Sequence, residues 1–258
     1  MSYILWSDVP EHLWWTQRST LPADVAMYCD RQPGIRLFPL EDVRYVLVCD
    51  MLTSQDLKSI AVQLSTIFKR VVDDMRIENA RGIPQKHFVP GFVNIFARIN
   101  PQKNTCLGVV VPRFTAMRDA PKHEATWAPE LYGGGPCTEA SVVYAYGVIV
   151  ASICSKNVPK IEYDPSKQAS YTISGKQKTD LMGDIENLLG TQMRFLIAQC
   201  LESDPADRPT LLDIERRVKN IHLLEFENAA NNNDYCNMWK NYYKQMEIEY
   251  RSPWDIHK

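Results

Sequence analysis

The sequence predicts an α+β fold, mainly helical, with a few short strands confined to its first half. Three observations carry that prediction. Val-rich apolar runs at residues 44–52 and 105–114 are bounded by turn-forming or charged residues, as buried strands are. Between them, apolar residues recur at spacings near three and four from residue 60 to residue 75, the period of a helix packed on one side. From Ser141 onward, helical patterns follow one another to about residue 227.

Taken in order, GIRLF (34–38) follows Pro33 and alternates apolar with other residues, which predicts a first strand. RYVLVCDML (44–52), flanked by Glu41 and Asp42 on one side and Thr53 and Ser54 on the other, predicts a second, and the two together a hairpin-like pair. Ser54 opens a helix whose buried face is Ile60, Val62, Leu64, Ile67, Val71, Val72 and Met75, and which Gly82 and Pro84 stop. VNIFARI and TCLGVVVPRF, separated by a polar turn containing Pro101, read as strand, turn, strand. Helices are expected over 141–154, 180–189 and 191–202, and from 210 to about 227. Thr210 N-caps the last of these, with Asp213 near its exposed amides. The polar, Ser/Lys-rich stretch 157–178 is expected to be a long loop.

Composition narrows the partners. Hydrophobic residues at 45% and charged residues at 23% are those of a folded globular chain and argue against disorder. A net charge of −2 and a pI near 6.2 supply no field for nucleic acid or an acidic membrane surface, so neither is an expected partner. Seven cysteines (Cys29, Cys49, Cys106, Cys137, Cys154, Cys200 and Cys236) form no CxxC pair and no metal-ligand cluster with histidine. They read as reduced core thiols of a cytoplasmic or nuclear protein without a metal. MSYILWSDVPEH has neither a basic start nor a long apolar stretch, so no signal peptide is expected. The longest apolar run, ASVVYAYGVIVASIC, falls short of the ~20 residues needed to cross a bilayer and reads as a core helix.

Three stretches of the second half, in order, carry a family resemblance. WAPELYGG (127–134) resembles the Ala-Pro-Glu motif that closes a protein kinase activation segment. SVVYAYGVIV (141–150) resembles the "SDVYSFGVIL" helix at the centre of the kinase large lobe, and CLESDPADRPTLLDIERRV (200–218) its "CL..DP..RPT" stretch. The resemblance implies a protein kinase-like fold, a mainly helical C-lobe with a truncated N-lobe remnant of few strands. Residues 1–52 would be that remnant and hinge, 53–227 the C-lobe and 228–258 an aromatic helical tail. It also implies a structural ion pair between Glu130 and Arg208, whose breakage would leave an uncompensated buried charge at about 3–5 kcal/mol. Working back, His87-Phe88-Val89 falls on the family's His-Arg-Asp motif and Asn94 on its metal-binding asparagine, while QPGIRLFPLEDVRYVLVCDML resembles the last small-lobe strands and hinge. Because the family's proline in the catalytic loop comes later than Pro90, the match there rests on His87 and Asn94. Coverage runs from about residue 31 to about residue 224.

Kinase chemistry is positioning and charge: one carboxylate takes the substrate hydroxyl proton, another holds magnesium, and a lysine and a glycine-rich cover hold the phosphates. Here the base position is Val89. The metal-holding Asp-Phe-Gly should lie in GVVVPRF (108–114), around Val110, and no aspartate occurs between Asp74 and Asp119. The aspartate that braces the catalytic loop from the central helix is replaced by Val142, and the loop's arginine by Phe88. Before Gly34 there is no glycine, and Lys58 is the sole lysine before residue 69. Asp24, in a helical remnant, therefore has no lysine to pair with. The resemblance thus implies a pseudokinase: not an enzyme, and without cofactor. The alternatives are an atypical nucleotide-binding enzyme with residual kinase activity, or a structural subunit of a large assembly.

The remaining features have plain readings. His87 reads as a packed histidine, Asn94 as a loop hydrogen-bonder, Thr115 and Thr126 as loop threonines rather than phosphorylation sites, and glycines 133–135 as a loop rather than a phosphate nest. The tail places Tyr235, Trp239, Tyr242, Tyr243 and Tyr250, with Met238 and Met246, at helical spacing. Either that stripe packs on the chain's own lobe, or, with Trp6, Trp14 and Trp15, it forms an interface. The expected partners are proteins, an active kinase or a multi-subunit complex.

Overall fold

The computed structural model describes residues 36–39, 54–80, 88–89, 96–100, 105–110, 115–116, 125–155, 157–164 and 170–229. Short strands come first. Strand β1 (Arg36–Pro39) pairs antiparallel with β3 (Phe96–Asn100), which pairs antiparallel with β4 (Thr105–Val110). A second, two-stranded sheet joins β2 (Phe88–Val89) to β5 (Thr115–Ala116). The β3–β4 pair matches the strand-turn-strand expectation. β1 also has a neighbour that the sequence does not announce: β3, with Leu37 opposite Arg98, 61 positions along the chain. Residues 44–52, the expected partner, lie outside the described residues. Alternation within a strand reports its two faces and carries no information about which strand lies beside it.

Helix α1 (Ser54–Ala80) forms as its periodicity demands. Leu57, Ile60, Ala61, Leu64, Phe68 and Val72 are buried, a stripe at three- and four-residue spacing that faces the core. Val62 and Ile67 are buried with them, while the side chains of Val71 and Met75 lie outside the described residues.

The second half is built around α3 (Glu139–Ser155), which packs against α1, α4 (Gly175–Leu189) and α5 (Thr191–Cys200). Every residue from Ser141 to Cys154 is buried. A helix apolar on all sides has no stable place but the interior. Its buried polar groups are satisfied locally or across the core: Ser152 Oγ donates to Val148 O at 2.7 Å, and Tyr146 donates its hydroxyl to Ala61 O at 3.2 Å. The Tyr146 ring meets Phe68 edge-on at 6.3 Å between centroids, joining α3 to α1.

Gly147 lets α3 approach α5. A Cβ there would lie 2.8 Å from Cys200 Cβ and 3.0 Å from a Leu201 methyl. Gly147→Ala should therefore destabilise the fold by about 1–3 kcal/mol, the usual cost of an extra methyl forced into a filled core, read as a lower urea midpoint at unchanged slope.

Between α3 and α4 the structure departs from the sequence expectation. Residues 157–178 are not one long loop: β6 (Ile161–Asp164) and β7 (Ser170–Ile173) form an antiparallel hairpin, with Ile161 opposite Ile173 and Tyr163 opposite Tyr171. Ser174 then N-caps α4 by accepting from Gln177 N. Pro165 and the polar Ser166, Lys167 and Gln168 give this window its loop-like composition and mask the short β-forming segments on either side. After α5, a 3-10 turn (Pro205–Asp207) leads into α6 (Leu211–Ala229). The chain divides into two compact units, Met1–Val218 and Lys219–Lys258, with the division inside α6.

Candidate functional site

The short helix α2 (Pro129–Tyr132) begins with an extended Ala128 and a proline at its first position, where the missing N–H costs nothing. That start presents Glu130. The glycines after it fold the chain back: Gly134 N donates to Leu131 O at 3.1 Å and Gly135 N to Glu130 O at 3.0 Å. Gly134 sits at φ +78°, and a Cβ on Gly135 would lie 2.8 Å from Glu130 O, so neither position accepts a side chain without strain. The amides of Gly134 and Gly135 are thus engaged within the turn.

Arg208 arrives from the other side. It follows the 3-10 turn, which Asp204 caps by accepting from Ala206 N at 2.9 Å. All five guanidinium N–H groups have acceptors. Nη1 donates to Glu130 Oε1 at 2.8 Å and Ala140 O at 3.0 Å. Nη2 donates to Glu130 Oε2 at 2.9 Å and Ser203 O at 3.2 Å, and Nε donates to Glu202 O at 2.8 Å. Glu130 also accepts from Ser141 Oγ at 2.9 Å. A planar fork with five donors is the one side chain able to bind a carboxylate in two places and three carbonyls at once.

The electrostatics follow from that arrangement. Burial raises the Glu130 carboxyl, but hydrogen bonds from Arg208, its own backbone amide, the guanidinium charge and the Ser141 hydroxyl together hold it below the usual glutamate range. The Tyr144 ring lies 5.0 Å from the guanidinium carbon. Burial pushes the Tyr144 phenol up to about 12, opposed by Arg208 and assisted by Glu130. Burial, with the Glu130 charge added, pushes the Cys137 thiol up to about 12. Both stay neutral near pH 7, and Cys137 is not a thiolate nucleophile.

Beside this cluster, Glu139 joins three elements. Its Oε1 accepts from Leu211 N at 2.9 Å, capping α6, and its Oε2 accepts from Arg76 of α1 at 2.5 Å. Thr210 completes that cap, its Oγ1 accepting from Asp213 N at 3.1 Å.

The arrangement locks α2, the start of α3 and the entry to α6 together. Residues 114–218, which contain all three, match the protein tyrosine and serine/threonine kinase family. They form part of a protein kinase-like domain. Two relatives from Dictyostelium discoideum are similar: the dual specificity protein kinase zak2, 29% identical over 105 residues, covering 40% of this chain and 16% of that kinase, and the probable serine/threonine-protein kinase roco7, 30% identical over 94 residues, covering 36% and 4%. The receptor-interacting serine/threonine-protein kinase 3 of Rattus norvegicus is 28% identical over 113 residues, covering 42% of this chain and 23% of that protein. The chain therefore spans less than a quarter of the length of each of these relatives.

Within the kinase-like domain the structure brings Glu130 and Arg208 together. Val142 lies on α3 and is fully buried. Val89 stands opposite Thr115 in the β2–β5 pair, and Val110 opposite Phe96 at the end of β4. His87 and Asn94 lie outside the described residues, as do Trp6, Trp14, Trp15, Tyr235, Trp239, Tyr242, Tyr243 and Tyr250. Thr126 is fully buried, and its hydroxyl and the Trp127 indole N–H have no hydrogen-bond partner among the described residues. Sequence reasoning did not find Ser141, Tyr144 or Glu139. No local signal marks them, since Glu139 meets Leu211 from 72 positions away.

Val142 offers a direct test of whether this end of α3 is packed as core. Val142→Asp should unfold the domain or cost at least about 3 kcal/mol at pH 7, because an ionised carboxylate would be placed where no water reaches. A near-neutral effect in a urea melt would mean that donors still await a carboxylate at this position.

No helix among the described residues is long and apolar enough to cross a membrane. Among those residues, no group of three His, Cys, Asp or Glu side chains is placed to hold a metal ion.

Proposed function

We propose that this protein is a catalytically inactive kinase-like protein, a pseudokinase that works through contacts with other proteins as a scaffold, an allosteric regulator or a decoy of a kinase. One observation carries the reading. From residue 79 to residue 118, the stretch aligned with the catalytic loop and the metal-binding motif, there is no aspartate and no glutamate. The base position is Val89, the metal-holding position lies near Val110, and the bracing position is the buried Val142. Such a donor set does not fit a magnesium ion, which takes hard oxygen ligands and at least one carboxylate in nucleotide sites.

The intact tie between Glu130 and Arg208 supports the other half of the proposal. It keeps the end of the activation segment joined to the helical subdomain, so a shaped surface persists without the charges that move phosphate. Protein contact is then the remaining use of the fold. The similarity to kinases supports a partner among kinase pathways, by competition for or occupation of a kinase's own docking surface.

A thermal-shift titration of the full chain with ATP, alone and with Mg²⁺ or Mn²⁺, is the test. Superimposable melts in all conditions are expected. A metal-dependent rise of several degrees that disappears in Asn94→Ala would overturn the proposal and restore nucleotide chemistry.

A further inference from the structure

We draw no further inference here: the strongest candidate, the pair of buried groups at the entry to α2, the Thr126 hydroxyl and the Trp127 indole N–H, without a hydrogen-bond partner among the described residues, comes just after residues 117–124, which lie outside the described residues, so nothing in the structure shows what covers it.

Discussion

Arg208→Met should destabilise the kinase-like domain by about 3–5 kcal/mol at pH 7, the cost of leaving a buried charge without its partner. Methionine matches the arginine stem in length but donates nothing. Glu130, whose side chain is only 20% exposed, would keep its charge with Ser141 as its remaining side-chain donor. The carbonyls of Ala140, Glu202 and Ser203 would each lose a donor as well. Glu130→Gln keeps those three carbonyls satisfied but leaves the fully buried Arg208 charge without its carboxylate, so a loss of the same order is expected. Urea melts of the two variants and the parent are the check; a near-neutral effect of either substitution would mean that the pair does not compensate a buried charge.

The same pair sets a pH dependence whose sign is definite. The folded Glu130 carboxyl lies below its unfolded value, so the stabilisation is fully present at neutral pH. It is lost as pH falls from the ordinary glutamate range, about 4.3, through the lower folded value. In Arg208→Met, burial, already the largest single influence, is opposed only by the backbone amide and the Ser141 hydroxyl, so the carboxyl should rise relative to the parent. The gap between parent and variant should then narrow as pH drops, since the parent loses more stability on protonation than the variant does. A gap constant from pH 7 to pH 4 would show that Glu130 is not the group left stranded.

Tyr146→Ala should be comparably damaging, at about 3–5 kcal/mol. The side chain is fully buried, sits between α3 and α1, and packs edge-on against Phe68. Removing it opens a void where the central helix meets α1, and surrounding helices relax only in part. Tyr146→Phe separates packing from polarity: it keeps the ring and loses only the hydroxyl bond to Ala61 O, so roughly 1 kcal/mol is expected. Were the phenylalanine variant as unstable as the alanine one, the hydroxyl bond and not the ring would be what joins the helices.

Legibility along the chain followed the reach of each interaction. The buried face of α1 and the unbroken apolar surface of α3 were readable, because the period of an apolar pattern and the period of a helix are the same property. The β6–β7 hairpin was not: four-residue strands offer only two residues per face, too few to stand out beside Pro165, Ser166, Lys167 and Gln168. The Glu130 and Arg208 pairing became legible only through the resemblance, since nothing near either residue names a partner 78 positions away. Ser141 and Tyr144 looked like ordinary members of a core helix, and they acquired a role only when Glu130 came within reach of the Ser141 hydroxyl and the Arg208 guanidinium came to rest over the Tyr144 ring.

By itself, then, the amino-acid order determined which segments coil, which apolar surfaces must leave water, and that no carboxylate is available from residue 79 to residue 118. These are properties of composition and spacing, and folding cannot add a charge that the chain lacks. Only the tertiary structure decided that β1 lies beside β3, that Glu139 caps α6 while reaching α1, and that Arg208 satisfies a carboxylate and three carbonyls together. Those choices depend on which groups are left unpaired in the interior once helices have packed. An unpaired buried donor or acceptor is costly enough to select its partner from anywhere in the chain.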